Sequence, residues 1–273
     1  MKISFTRALA ATAAVAVCGV AFSGASYGYD VTSVSNGASV SGKISFTGKK
    51  ALAPKVFKVE KTPEVCGKED RVLEEMRIDA SGGLADVVVV IKGVKKGKGY
   101  ATEVAIEGPP PGKNTSTGSG GKVFPGTTIK PKGCIFGAFT SVVAQGTSMH
   151  FKNMDPVKHS PHGYAVKGRV RKGMYNLDLE GDGTLEIPVK FKKKKLKVMK
   201  LECDQHNHMQ NWFYKVENPY YAISAADGTF SIGDVPAGDY QLIAWHPKFK
   251  KEQKQKIKVS AGGKISADFS FKK

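Results

Sequence analysis

The chain has 273 residues, with 42 Lys and Arg against 24 Asp and Glu, and a formal net charge of +18. That length allows one large or two ordinary domains, each with a core of its own. The charge favours acidic or anionic partners, but no recognised nucleic-acid motif accompanies it, so nucleic acid is not expected.

In chain order, the first element is a predicted signal peptide over residues 1–28. Lys2 and Arg7 form a basic start, Ala8 to Phe22 is a run of small apolar residues, and "SGASYG" offers cleavage after Ser26 or Gly28. No later apolar stretch reaches the roughly 20 residues of a membrane span, so the chain is not expected to span a membrane. A periplasmic or extracellular location is expected. Cys18 lies inside this run, behind Val17, which argues against lipid attachment. Losing Lys2 and Arg7, with no acid among residues 1–28, takes the charge from +18 by 2 to +16.

Strand signals dominate the rest of the chain. Val40, Ile44 and Phe46 alternate with Ser41, Lys43 and Ser45. Lys68 to Ile78, with Val72, Leu73 and Met76, predicts a short helix. "ADVVVVIKG" at 85–93 is a β-branched run bounded by turn residues, as expected of a strand buried on both faces. "GPPPGKNTSTGSGG" at 108–121 reads as a flexible surface loop, and Asn114 in it fits a glycosylation acceptor. "SVVAQGTSMHFKNMDPVKHSPHGY" predicts two strands about a Gly turn, with Met149 and Phe151 on one face and His150 on the other, then a loop carrying His159 and His162. "NLDLEGDGTLE" at 176–186 has the wrong carboxylate spacing for an EF-hand and predicts a hairpin turn. Period-two alternation returns at Phe230 and Ile232 and at Ala267, Phe269 and Phe271. Seven lysines fall between Val189 and Leu201, and six from Pro247 to Lys258. Solvated strand faces protected from edge pairing account for such runs, as does attraction to an anionic cell-envelope surface.

Beyond residue 28 the cysteines are Cys66, Cys134 and Cys203, an odd number in an oxidising compartment. Cys203 has His206, His208 and Met209 beside it, and the other two have no such neighbours. The economical reading is a Cys66–Cys134 disulfide with Cys203 kept for chemistry. Cys203 as a buried thiol or an alternative disulfide partner stays open.

The segment "LECDQHNHMQNW" at 201–212 places His206 and Met209 at three-residue steps after Cys203, with His159 upstream on a separate loop. A thiolate and two imidazoles with a weak axial thioether suit copper cycling between two oxidation states, whereas zinc rarely recruits Met. Met209 packing in a core is the plainer alternative. His162 and His208 are expected outside the ligand set, Asp204 to fix the loop, and His246 to be structural. Cys203 with His206 as nucleophile and base lacks a third orienting group, so no enzyme is expected.

On these residues the chain resembles the cupredoxins, such as plastocyanin and amicyanin, and the resemblance implies His159, Cys203, His206 and Met209 as metal ligands with His206 as the electron port. It departs from them at Ser160, where cupredoxins commonly carry Asn, and at Asn207 and His208, where they carry apolar residues. A lysine-steered docking surface is therefore expected in place of an apolar one. "GASVSGKISFTGKKAL", "GGLADVVVVIKG", "YYAISAADGTFSIGDVPAGDYQLIAWH" and "KIKVSAGGKISADFSF" resemble successive strands of the prealbumin-like, carboxypeptidase-regulatory-type β-sandwich, interrupted here by residues 94–220. From residue 38 onward the chain is similar to bacterial secreted plastocyanin-like proteins, some of the methylamine-utilisation type. The resemblance implies an all-β chain, a cupredoxin Greek-key sandwich inserted into a prealbumin-like sandwich: 29–100 and 217–273 form the host, and 101–216 the copper domain. The expected function is a secreted type 1 copper protein carrying single electrons, its partner an acidic redox protein such as a c-type cytochrome or an amine-oxidising dehydrogenase. The rival expectation is a copper-storing or surface-binding module.

Overall fold

Short β-branched and aromatic runs separated by Gly and Asp turns produce an all-β chain. The computed structural model describes residues 29–49, 51–100, 105–107, 127–144, 146–193 and 195–272. The signal peptide, Cys18, Asn114 and the loop 108–121 lie outside the described residues.

Two pairs of sheets form. In the first pair, Val88–Lys92 lies between Tyr221–Ile223 and Gly238–Trp245, and Gln253–Val259 closes the edge. Facing it, Ala38–Phe46 pairs with Thr229–Val235, Lys264–Ser266 and Phe269–Phe271. The early and late parts of the chain thus share both sheets. Val40, Ile44, Phe230, Ile232, Ala267, Phe269 and Phe271 all enter the core between them, as their period-two alternation predicts.

In the second pair, Ser148–Lys152 lies between Thr184–Pro188 and Thr127–Lys130, with Ala105–Glu107 beyond. The facing sheet runs Val170–Asn176, Pro161–Lys167, Val198–Cys203, Gln210–Val216 and Thr140–Ala144. Met149 and Phe151 are buried in this core, while His150 on the opposite face sits near Glu186.

Residues 85–91 of this run are buried on both faces, for a reason beyond their own sandwich. Val87, Val89 and Ile91 fill the first core. Val88 and Val90 face the other way and, with Ile243 and Trp245, pack against Val142, Tyr214 and Val216 of the second pair of sheets. Thr140 Oγ1 also donates to Asp86 O at 2.7 Å across this boundary.

Two local expectations are corrected. Lys68 to Ile78 is not helical: Arg71–Leu73 is a strand paired with Lys55–Phe57, and the helix is a single turn upstream, Pro63–Cys66. Val72, Leu73 and Met76 fit a helical spacing, but the stretch is too short for its period to decide, and pairing with Lys55–Phe57 decided it. The "GDG" turn at 181–183 forms, with Gly183 N donating to Glu180 O at 3.0 Å, but it is no hairpin. Val170–Asn176 and Thr184–Pro188, on either side of it, belong to different sheets.

Candidate metal centre

The site stands where one sheet of the second pair ends. Val198–Cys203 runs antiparallel to Pro161–Lys167 with Cys203 opposite Pro161, and the chain returns as Gln210–Val216. The intervening loop is closed by its own backbone: Cys203 N donates to Met209 O at 3.2 Å, and Met209 N to His206 O at 3.0 Å. His159, just before Pro161, is clamped by a two-way backbone bridge to Leu179, at 2.9 and 2.8 Å. Ser160 ties the two loops together. Its N–H donates to Cys203 Sγ at 3.3 Å, its carbonyl accepts from Asp204 N at 3.1 Å, and its hydroxyl accepts from Gln205 Nε2 at 3.3 Å. The tie between the two loops is thus carried largely by the Ser160 backbone.

Three of the four predicted ligands are brought to one place: donor atoms of His159, Cys203 and His206 lie within 4.8 Å of one another. His159 is fully buried, and Cys203, His206 and Met209 are between 2% and 4% exposed. His159 Nδ1 lies 3.2 Å from His206 Nδ1, and Cys203 Sγ lies 3.7 Å from His206 Nδ1. Met209 packs in the same buried cluster as Cys203. Among the described residues two further groups have metal-like spacing, Cys66–Cys134–His206 and Cys134–Asp155–His159. Neither is a credible centre, because Cys66 and Cys134 are joined in a disulfide and offer no thiolate. Cys203 is the free cysteine of the described residues, so the predicted pairing holds.

The outer nitrogens of both histidines are already engaged. His159 Nε2 lies 2.9 Å from Asp155 Oδ2, and His206 Nε2 lies 3.1 Å from Thr62 Oγ1. With a proton on each Nε2, both Nδ1 atoms present lone pairs to each other and to the sulfur, and two lone pairs at 3.2 Å require a proton or a cation between them. Burial alone would push the Cys203 thiol up. Without a metal, Nδ1 protons on His159 and His206 and the backbone N–H groups of Ser160 and Gln205 hydrogen-bond the sulfur, outweigh burial and bring the thiol down to about 6. Burial opposes a charge on His159, but Asp155 and Cys203 overcome it and raise its pKa. The donor set therefore fits a metal cation with nitrogen and sulfur preferences, which would displace a proton on binding.

The other histidines stay outside. His162 Nδ1 faces Asp204 and the Tyr164 hydroxyl, 2.8 Å away, and its ring stacks on Tyr164. His208 is turned away, its Nε2 lying 3.0 Å from Cys134 O. His246 is buried against Phe139 and Phe249. Asp204 fixes the loop as expected, through its N–H to Ser160 and its carboxylate to Asn176 Nδ2 at 2.8 Å.

One expectation fails. An electron port needs an exposed imidazole edge at His206, yet that edge is covered by Thr62 from the first part of the chain, held over it by the Cys66–Cys134 disulfide. Thr62 and Asp155 were not anticipated. The only signal for Asp155 was its place four residues before His159, and Thr62 had none.

The family model for polysaccharide lyase family 4, domain II, matches residues 191–267, less than half of the chain. No curated protein matches. Among solved structures, the chain is similar to the Cu(I) form of a methionine-to-alanine variant of amicyanin at 8% identity and a TM-score of 0.27, covering 33% of this chain and 80% of that one. A reduced tryptophan-to-tyrosine variant of amicyanin gives 9% identity and a TM-score of 0.27, covering 33% and 82%. A copper-containing nitrite reductase from Thermus scotoductus SA-01 gives 16% and 0.26, covering 33% of this chain and 22% of that one. At such scores the likeness decides nothing about the site, which stands on its donor atoms.

Proposed function

We propose that the chain is an exported copper protein that holds one ion with His159 Nδ1, His206 Nδ1 and Cys203 Sγ, with Met209 as a weak fourth ligand, and that it carries single electrons without itself being an enzyme. The observation that supports this is the approach of two imidazole Nδ1 atoms to 3.2 Å beside a free, buried sulfur. Bound copper supplies a one-electron couple, and zinc would more often take a fourth Cys, His, carboxylate or water than a thioether. The protein's own residues hold the donors still: Ser160 joins the two loops, and the Leu179 bridge and the Cys203–Met209 backbone bond fix each loop. A set of donors that does not rearrange between oxidation states suits electron transfer. Residues 29–100 and 217–273 are read as the host sandwich and 101–216 as the copper domain. A periplasmic or extracellular location and an acidic redox partner remain part of this reading, the latter resting on the lysine runs.

A second reading is favoured by one observation: the cover over His206. A closed edge suits retention of the metal, so a storage or surface-binding module is the alternative. Titrating Cu(II) into the purified protein separates the two. Strong visible absorption that bleaches with a mild reductant and vanishes in Cys203→Ser supports the carrier. A colourless, tightly held Cu(I) supports storage, and absence of binding removes carrier and store alike and leaves a structural, surface-binding module.

A further inference from the structure

The two ligand histidines are backed by groups of different charge. His206 leans on the neutral Thr62 hydroxyl, whereas His159 leans on the Asp155 carboxylate, which is itself 3% exposed. A buried carboxylate stays charged only if donors surround it. Asp155 has three: Gly133 N at 2.6 Å on Oδ1, and Cys134 N at 2.9 Å and His159 Nε2 at 2.9 Å on Oδ2. The two backbone donors come from successive residues, Gly133 and Cys134, both at a φ of 57°, a left-handed conformation that turns both N–H groups toward the carboxylate.

This cradle is fixed from outside. Arg71 Nη2 donates to Gly133 O at 3.0 Å and to Cys66 O, bringing a cation to the far side of the same peptide. The Cys66–Cys134 bond anchors it covalently. The Asp155 loop is held as well, with Asp155 N donating to Asn153 Oδ1 at 3.1 Å and Asn153 Nδ2 donating to Val157 O and Glu180 O. Neither the carboxylate nor the ring it faces is free to swing.

We infer that Asp155 is the positioning residue of the metal centre: by accepting from Nε2 it fixes the His159 tautomer with Nδ1 free for the ion, and its buried negative charge favours the more highly charged oxidation state and so lowers the reduction potential. The inference rests on the copper reading and adds a graded role within it. A carboxylate acceptor on a ligand imidazole raises its basicity, and loss of such a partner costs about ten- to a hundredfold in metal affinity. Because a negative charge in a poorly screened site interacts more strongly with Cu(II) than with Cu(I), that loss falls mainly on Cu(II). Each tenfold of selective loss raises a one-electron potential by about 59 mV.

The test measures the reduction potential of copper-loaded wild type and Asp155→Asn by redox titration of the visible band. A rise of at least one such step is expected. If the wild type binds no copper, the copper reading falls and takes this inference with it; if it holds Cu(I) without a visible band, the carrier reading falls and the NMR measurement below tests the assignment of Asp155. If the wild type shows the band and Asp155→Asn keeps the wild-type potential, the assignment to Asp155 alone is overturned. Should Asp155→Asn not fold, nitrogen-15 NMR of the Cu(I)-loaded wild type decides the matter. A His159 Nε2–H protected from exchange is expected, and a proton absent from Nε2 would refute the assignment.

Discussion

Thr62 places its hydroxyl 3.1 Å from Nε2 of His206, across 144 residues of sequence. The same oxygen lies 3.1 Å from Cys66 Sγ. Thr62 sits at a φ of 47° and ψ of 50°, a left-handed conformation that is costly for a β-branched residue, by roughly 1–3 kcal/mol. A strained Thr that touches both a ligand histidine and the disulfide is held there by its contacts.

Replacing Thr62 separates strain from contact. Thr62→Gly relieves the backbone but removes the hydroxyl, so stability is expected to change by less than about 1 kcal/mol while copper affinity falls by about tenfold. Chelator competition read alongside urea unfolding checks both. Equal affinity in the variant would show that the hydroxyl does not position His206.

Cys66 and Cys134 close a loop with a sequence separation of 68. Loop-closure entropy assigns such a bond about 4 kcal/mol. The double variant Cys66→Ser, Cys134→Ser is expected to lose about that much in denaturant unfolding, and to bind copper more weakly because Thr62 is no longer anchored over His206. Undiminished copper affinity would mean that the cover is held by packing alone.

His246 gives a pH dependence. Burial first, then the charges of Lys248 and Arg77, push its pKa down to about 3, well below the ordinary value of about 6.5. Between those values the unfolded chain takes up a proton that the folded chain refuses, so stability falls as the pH drops through that window, by about 1.4 kcal/mol per unit. From pH 7 to pH 5 this single group is expected to remove about 2 kcal/mol. Urea unfolding of His246→Phe at both pH values should show a slope shallower by that amount. Parallel slopes would mean that His246 is as easily protonated folded as unfolded.

Lys254, Lys256 and Lys258 point outward from the edge strand Gln253–Val259. Steering by these and the lysines of 190–200 predicts that reduction by an acidic redox protein slows as salt shortens the Debye length from about 10 Å at 0.1 M. Stopped-flow rates that stay flat across ionic strength would leave the lysines with edge protection only.

Period and parity were readable directly. Val40 with Ile44, Phe230 with Ile232, and Phe269 with Phe271 share faces because strand geometry alternates them, whatever lies opposite. Three cysteines left one over. The ligand spacing at Cys203, His206 and Met209 is local, so a short loop suffices to present it. Arg71–Leu73 was misread because a short segment carries too little period to separate helix from strand. The second face of Val88–Lys92 was legible as buried, but not what buries it.

By itself, then, the sequence determined which atoms are soft donors, which strand faces are apolar and which thiol is spare, since all of these are properties of residue type and near spacing. Only the tertiary structure decided what stands behind the donors: Asp155 against His159, Thr62 over His206, and Arg71 bracing the peptide that cradles the carboxylate. Asp155 and His159, four residues apart, meet through the shape of their loop. Thr62 over His206 and Arg71 on Gly133 join segments far apart in the chain, and such hydrogen bonds leave no periodicity in it. They exist because the folded backbone brings single atoms within about 3 Å, a distance that no local pattern encodes.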